Sequence, residues 1–499
     1  MRMLLLSLLL LLLLIPMAQA APLTVANQTW NTRSNWTSHA YYPSKADWRS
    51  TVCFQLMTDR FFDGCPTNNE LAYGGYDVKD RSLRHGGDFE GVRRKADYLK
   101  GLGVDMIWVS PIFQNKWNDY HGYGQIDRTL LDQRWGTLTD FRGMADALHA
   151  RGLYLCIDEV SNHGGNLLYG SGGNYDWPAF HMHTAEHTLH YYTNTETHLD
   201  YTVNNTYSAS GNYGSNFDTS GNPVYDSGSG GFFSDDFHHN GQCSFDSSWQ
   251  QWLGEFPGVG YDDFATERAS CIASHTDGFK ALLRQDIDAI REDTPMEMLV
   301  YYFQQWCPAS RSYARDTLGK SNLFMFGEYF TSFEYAKKMT GKNANGTDFC
   351  LNSGVDYRSY FDFFRPAVFE QQNGNLGKLK QTYDAYTSYD FSDWASGERK
   401  YSMLTFYNNH DQPRLSTWND GDAKTRLASG IILTWPGIPC FYHGDEQGFK
   451  TAFDGDKNVR EDYMVSAAYI VDGGVTNRAR GDNFNMCHEN YKWIAKIAN

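Results

Sequence analysis

The sequence predicts an α/β chain, a (β/α)8 TIM barrel with an irregular subdomain inserted between strand 3 and helix 3. Three observations carry that prediction. Short runs apolar on both faces alternate with amphipathic helical stretches, the pattern of a parallel sheet covered by helices. Eight such units fit 499 residues, which favours a closed barrel over an open doubly wound sheet. The rhythm then breaks across residues 164–265, which are rich in Gly, Ser, Asn, Asp, Tyr and His and have little periodicity. A stretch that long is an insertion, not a loop. It is expected to overhang the barrel mouth, leaving residues 51–163 and 266–499 as the barrel.

In chain order, strands are expected at Val52–Leu56, Asp105–Ser110, Leu153–Val160, Asp286–Ile290, Leu323–Gly327, Met403–Tyr407 and Ile438–Tyr442. The remaining strand is placed in Asp356–Phe363, where Tyr and Phe obscure the period. Helices are expected at Phe89–Leu102, Thr139–Arg151, Arg268–Arg284, Glu297–Thr317 and Ala423–Leu433. Around the second of these, Leu138, Phe141, Met144 and Leu148 recur at helical spacing. The closing Tyr491-Lys-Trp-Ile-Ala-Lys-Ile suits a last barrel helix.

The chain opens on Met1-Arg-Met, a Leu-rich stretch to Ile15-Pro16, and an Ala-x-Ala end at Ala20. A basic start, about a dozen apolar residues and small residues at the end read as a secretory signal over 1–20. A membrane anchor would need a longer span. Residues 21–50 are a polar, turn-rich lead-in. Secretion would make Asn27, Asn35, Asn204 and Asn345 glycan acceptors. It would also make disulfides expected among the nine cysteines. Cys53 with Cys65 and Cys243 with Cys271 are plausible local pairs, with mid-strand Cys156 the odd thiol. A net charge of −16 argues against nucleic acid or an anionic membrane as partner. An aromatic share of 16% suits stacking on sugar rings, and equally suits a large core.

Three carboxylates each end a short apolar, strand-like run. They are Asp293 in Asp286-Ile-Asp-Ala-Ile-Arg-Glu-Asp293, Glu328 in Leu323-Phe-Met-Phe-Gly-Glu328, and Asp411 in Leu404-Thr-Phe-Tyr-Asn-Asn-His-Asp411. Any one alone could cap the next helix. Three in strand-end context suggest one acid-chemistry site assembled from several strands.

These segments resemble the α-amylase superfamily of glycoside hydrolases. Asp158-Glu-Val-Ser-Asn-His163 is similar to its first conserved segment, Ile290-Arg-Glu-Asp293 to the second, Gly327-Glu328 to the third, and Phe406-Tyr-Asn-Asn-His-Asp411 to the fourth. Gln55-Leu-Met-Thr-Asp-Arg-Phe, Trp108-Val-Ser-Pro, His121-Gly-Tyr123 and the run Thr434 to Glu446 agree. The resemblance covers about residues 50–499. It implies a retaining mechanism with two carboxyls roughly 5–5.5 Å apart. Asp293 would be the nucleophile, kept ionised by Arg291. Glu328 would be the acid/base, among Phe324, Phe326 and Phe330. Asp411 would bind substrate hydroxyls and stabilise the transition state. His163 and His410 would hydrogen-bond the same sugar ring, and Tyr123 would stack on it with His121 beside. Asp158 is expected to be a structural barrel residue. Glu446 and Arg460 are expected at the substrate rim or in salt bridges. Many members hold calcium. Asn162 matches one ligand position, but Glu297 stands where the family usually has His. Asp218, Asp226, Asp235, Asp236 and Asp246 are further oxygen donors in the insertion.

A second stretch, Asp277-Gly-Phe-Lys-Ala-Leu282, also resembles the second segment. Placed there, Leu282 would replace the nucleophile and the enzyme would be dead. Its helical pattern disfavours that placement, whereas Arg291 and Asp293 lie two apart on a strand and point the same way. Only 53 residues follow Glu446, so the family's C-terminal β-sandwich is expected to be absent or truncated away. The implied activity is hydrolysis of α-1,4-glucosidic bonds in α-glucan or maltooligosaccharide by a secreted monomer. A transglycosylase, in view of similarity to the amylase-like part of fungal α-1,3-glucan synthases, and a non-catalytic glucan-binding protein are the alternatives.

Overall fold

The computed structural model describes residues 38–69, 75–78, 80–115, 120–164, 261–330, 350–370, 377–388, 403–417, 421–450, 459–464 and 483–499, with isolated strand fragments between them. The predicted signal, the four glycan acceptors, Cys243 and most of the predicted insertion lie outside the described residues.

Eight parallel strands form the barrel. They are β1 (Cys53–Leu56), β2 (Met106–Val109), β3 (Tyr154–Glu159), β4 (Ala289–Glu292), β5 (Phe324–Gly327), β6 (Ser353–Gly354), β7 (Leu404–Thr405) and β8 (Ile438–Tyr442). The order runs from β6 through β5, β4, β3, β2 and β1 to β8 and β7. A parallel bridge from Val355 to Leu404 closes the ring. The outer layer includes α1 (Phe89–Arg94), α2 (Ala96–Leu102), α3 (Leu138–His149), α4 (Ala269–Leu283), α5 (Val300–Leu318), α6 (Gly377–Ser388), α7 (Gly421–Thr434) and α8 (Glu489–Ala498). One apolar core joins strands to helices, because each strand is buried on both faces.

Local chemistry explains the helix ends. Thr137 and Asp140 form a reciprocal capping box that starts α3, satisfying donors no helical carbonyl can reach. Gly319, at φ +73, ends α5 in the left-handed conformation open to glycine. The predicted Phe89–Leu102 helix is broken at Lys95, whose ψ of 9° departs from helical geometry.

Three expectations need correction. The strand placed in Asp356–Phe363 is helical, over Tyr357–Ser359 and then the wider turns of Tyr360–Phe369. Asp356 accepts from the Ser359 amide and starts that helix, and buried Tyr357, Tyr360 and Phe364 recur at helical spacing. The true strand is the pair of residues just upstream. Strand β4 begins at Ala289 rather than Asp286, which has φ +65 and belongs to the turn after α4. Cys53 and Cys65 carry free thiols. Cys53 lies in β1 opposite Cys440, whereas Cys65 sits in the loop beyond that strand's C-terminal end. The other suggested pair, Cys243 with Cys271, involves a residue outside the described ones.

The N-terminal end of the barrel is sealed by the lead-in. Trp48 stacks on Phe324 at 5.2 Å and meets Tyr154 edge-on at 5.1 Å. Beside it, Lys320 Nζ lies 2.5 Å from Asp286 and 2.7 Å from Asp288, and His149 lies 2.8 Å from Asp288. That geometric cluster could suit a cation, and Lys320 already supplies one.

Candidate active site

At the opposite end, the strand C-termini surround a cavity of about 370 Å³ lined by His121, Tyr123, His163, Tyr261, Asp293, Thr294, Glu328, His410, Asp411 and Arg460. The three carboxylates singled out in the sequence therefore share one cavity. Leu282 does not line it: it is fully buried in α4, among the core side chains.

Strand register explains the convergence. Asp293 is the first residue past β4, and its amide donates to Glu159 O at 2.8 Å. Glu328 is the first past β5, and its amide donates to Glu292 O at 3.1 Å. Thr294 follows at φ +46, a costly conformation for a β-branched residue. Gly122 has φ +94, and a Cβ there would fall 2.3 Å from Pro111 O, so only glycine can turn the chain between His121 and Tyr123.

Arg291 organises the charges. Its side chain is buried, and Nη1 donates to Asp158 at 2.8 Å and to Asp293 at 2.5 Å. Nη2 donates to Glu328 Oε2 at 2.5 Å. A rigid guanidinium fork thus spaces the Asp293 and Glu328 carboxyls. Asp158 belongs to this network rather than only to the scaffold. It also accepts from Trp108 Nε1 at 3.0 Å and the Tyr123 hydroxyl at 2.9 Å. Burial raises Asp158 to about 7, Arg291 opposing and Asp293 adding to the rise.

Burial lifts Glu328 to about 8, with Arg291 opposing and the negative charges of Asp293 and Asp411 reinforcing. A carboxyl there holds its proton at neutral pH, the state a general acid needs. The three phenylalanines sit in different surroundings. Phe324 packs on Trp48 at the barrel's other end, and Phe326 packs on Trp108. Phe330 is half-exposed and lies against Tyr357, whose hydroxyl donates to Glu328 Oε1 at 2.8 Å.

Asp411 is held differently. Burial alone would raise it, but His410, Arg460 and Arg291 outweigh that and lower it. Arg460 donates to Asp411 Oδ1 at 2.6 Å, a salt bridge at the cavity wall. Burial lowers His410 to about 4, so its ring is neutral at pH 7. Gln55 Nε2 lies 2.7 Å from its Nδ1, and its Nε2 lies 2.8 Å from the Tyr123 hydroxyl. A donating Gln55 amide would put the ring proton on Nε2. Tyr123 stacks parallel to His410 at 5.4 Å, so one ring face is already occupied. Burial also lowers His163 to about 4 and His121 well below its usual range. His163 stacks on Tyr261 at 4.9 Å.

Glu446 is not at the rim. It is buried outside this cavity and accepts from the Tyr98 and Tyr463 hydroxyls. Gln55 and Tyr357 were not singled out from the sequence. Gln55 stood in a recognised flank, and Tyr357 lay hidden in a segment read as strand.

Asn162 and Glu297 each carry side-chain oxygen of the kind a hard cation takes. The Asn162 Nδ2 amide donates to Glu297 Oε2 at 3.4 Å. Burial and the nearby charges of Asp293, Asp263 and Glu328 raise Glu297 to about 9, a strain that a bound cation would relieve. Asp218, Asp226, Asp235 and Asp236 lie outside the described residues, and Asp246 is described only as part of a strand.

The Alpha-amylase family model, described as alpha amylase, catalytic domain, matches residues 55–469. An alpha-amylase of Streptomyces lividans is 28% identical over 444 residues, covering 80% of this chain and 44% of its own. A cell wall alpha-1,3-glucan synthase of Schizosaccharomyces pombe is 26% identical, covering 86% of this chain and 20% of its own. A cyclomaltodextrin glucanotransferase of Niallia circulans is 27% identical, covering 91% and 54%. The chain thus spans between a fifth and about half of these relatives. The solved alpha-amylase of Geobacillus thermoleovorans, complexed with acarbose, superposes with a TM-score of 0.61 at 21% identity, covering 91% of this chain and 79% of that one. That likeness carries the barrel fold.

Proposed function

This chain belongs to the α-amylase catalytic-domain family, and from that premise we propose that it is a secreted retaining glycoside hydrolase cleaving α-1,4-glucosidic bonds in α-glucans. The observation that carries the reading is the single Arg291 fork holding Asp293 and Glu328 in the cavity that Asp411 also lines. Asp293 attacks the anomeric carbon while Glu328 gives its proton to the departing glycosidic oxygen. A covalent glycosyl-enzyme results. Glu328, now ionised, takes a proton from water, which attacks the anomeric carbon and releases Asp293. Asp411, kept ionised by Arg460, hydrogen-bonds substrate hydroxyls more strongly as the ring gains positive charge. Neutral His163, His410 and His121, with Tyr123, shape the sugar-binding walls.

Calcium, if bound, would be held by Asn162 and Glu297 with Asp263 nearby, and would supply charge that ties the barrel to the insertion. Equilibrium dialysis against calcium tests that part separately.

The deciding experiment is product analysis on maltooligosaccharides with wild type and Asp293→Asn. Loss of cleavage by several orders of magnitude in a folded variant is expected; unchanged cleavage removes Asp293 from its role. A transglycosylase is the second reading, favoured by the similarity to a glucanotransferase over 91% of this chain. Products longer than the supplied oligosaccharide would establish it, through the same glycosyl-enzyme but with a sugar hydroxyl as acceptor.

A further inference from the structure

Glu328 is gripped on both oxygens, and the second grip comes from a residue outside the four matching segments. Arg291 Nη2 donates to Oε2. The Tyr357 hydroxyl donates to Oε1 at 2.8 Å. Tyr357 in turn accepts from Asn409 Nδ2 at 2.9 Å. The orientation of the Asn409 amide is set by its other end, where Oδ1 accepts from the Asp411 backbone amide at 2.9 Å. A tyrosine hydroxyl has one hydrogen. With Asn409 donating to its oxygen, that hydrogen goes to Glu328. The direction of the bond at the acid/base is therefore fixed by the backbone of the loop carrying Asp411.

We propose that Tyr357 is a positioning residue for the Glu328 carboxyl, and that the chain Asp411 amide–Asn409–Tyr357–Glu328 couples the acid/base to the loop of the third carboxylate. The proposal rests on the reading of Glu328 as acid/base. With both oxygens pinned, the carboxyl plane cannot rotate, and its acidic proton must occupy a lone pair that neither donor takes. Packing holds the Tyr357 ring independently of the hydroxyl, through Phe330 and Phe406 at 5.0 Å each. The hydroxyl can therefore be removed with the ring in place.

The hydroxyl donates, so it favours the ionised carboxylate; Arg291 does the same, while Asp293 and Asp411 disfavour it. Removing the hydroxyl should make Glu328 a weaker acid. Tyr357→Phe is expected to move the alkaline limb of the kcat/KM profile up by about one pH unit, the worth of a hydrogen bond to a charged group. It should lower kcat about tenfold at the optimum as the carboxyl gains freedom, with KM within about twofold. Asn409→Leu, which frees the tyrosine hydrogen to turn, should move the limb the same way. A difference infrared titration of the Glu328 carboxyl, with Glu328→Gln as blank, should show the same upward shift without any substrate. An unshifted limb and an unshifted carboxyl band in both folded variants overturn the proposal. If Glu328→Gln itself cleaves maltooligosaccharides normally, the acid/base reading falls instead. The infrared shift then still decides whether Tyr357 governs this carboxyl.

Discussion

Arg291 Nη1 lies 2.5 Å from Asp293 Oδ1, where Arg291 stands in β4 and Asp293, two positions on, is the first residue past its end. The same nitrogen also reaches Asp158, and its twin reaches Glu328. One buried cation thus faces three carboxyls. Lysine offers a point charge in place of the fork. Arg291→Lys should keep the fold but lose the spacing of Asp293 and Glu328, lowering kcat/KM by about a hundredfold or more. Arg291→Ala should also cost about 3–5 kcal/mol in urea unfolding, because it strands buried carboxylates. A lysine variant within a few-fold of wild type would show that the fork does not set the spacing.

Leu282 and Asp293 are the two residues that could occupy the family's nucleophile position, and their surroundings separate them. Leu282 lies in α4 and faces the core. Leu282→Ala should lose about 2–5 kcal/mol of stability from lost transfer and cavity terms. Its kcat per folded molecule should stay near wild type. Asp293→Asn should do the reverse, abolishing turnover with little change in melting temperature. Paired calorimetry and rate measurements check both; a dead but stable Leu282→Ala would point back to the helical segment.

The barrel was legible because its strands are continuous apolar runs ending in carboxylates, a pattern little else produces. The strand at Ser353–Gly354 was not. It is two residues long, and the aromatic residues after it favour strand by propensity while their spacing serves a helix. That same misreading hid Tyr357. Asp293, Glu328 and Asp411 stood out because each ends a strand. Gln55 and Asp158 act from inside strands, where a polar residue in the sequence does not reveal which partner it meets. Arg460 reaches Asp411 from a loop 49 positions away, a contact no local pattern encodes.

At the barrel's N-terminal end, burial disfavours a charged His149, but hydrogen bonds and the charges of Asp286 and Asp288 prevail and raise it to about 9. Lys320 shares the same two aspartates. A histidine raised above its unfolded value of about 6.5 contributes stability that is complete below that pH. The contribution is lost as pH climbs through about 9. Wild type should therefore weaken between pH 7 and pH 9.5, and His149→Gln should be less stable at pH 6 and flatten that decline. Urea midpoints across this window check it; parallel curves for the two proteins would remove His149 from the alkaline stability loss.

Glu328 has linkage of the same sign in a lower window, since it is a carboxyl raised to about 8. Between its unfolded value near 4.5 and about 8, the folded state binds the extra proton, so stability from this group falls as pH rises through that window. The penalty is complete above it. Catalysis needs that same proton, so kcat/KM should decline on the alkaline side with a midpoint near 8. Glu328→Gln should be nearly inactive at every pH, yet gain on wild type in melting temperature between pH 5 and pH 8.5. Both trends come from one proton held against its solvent preference by burial and by Asp293 and Asp411. An alkaline limb well below pH 7, or melting curves that keep a constant offset across the range, would show that Glu328 does not carry that proton.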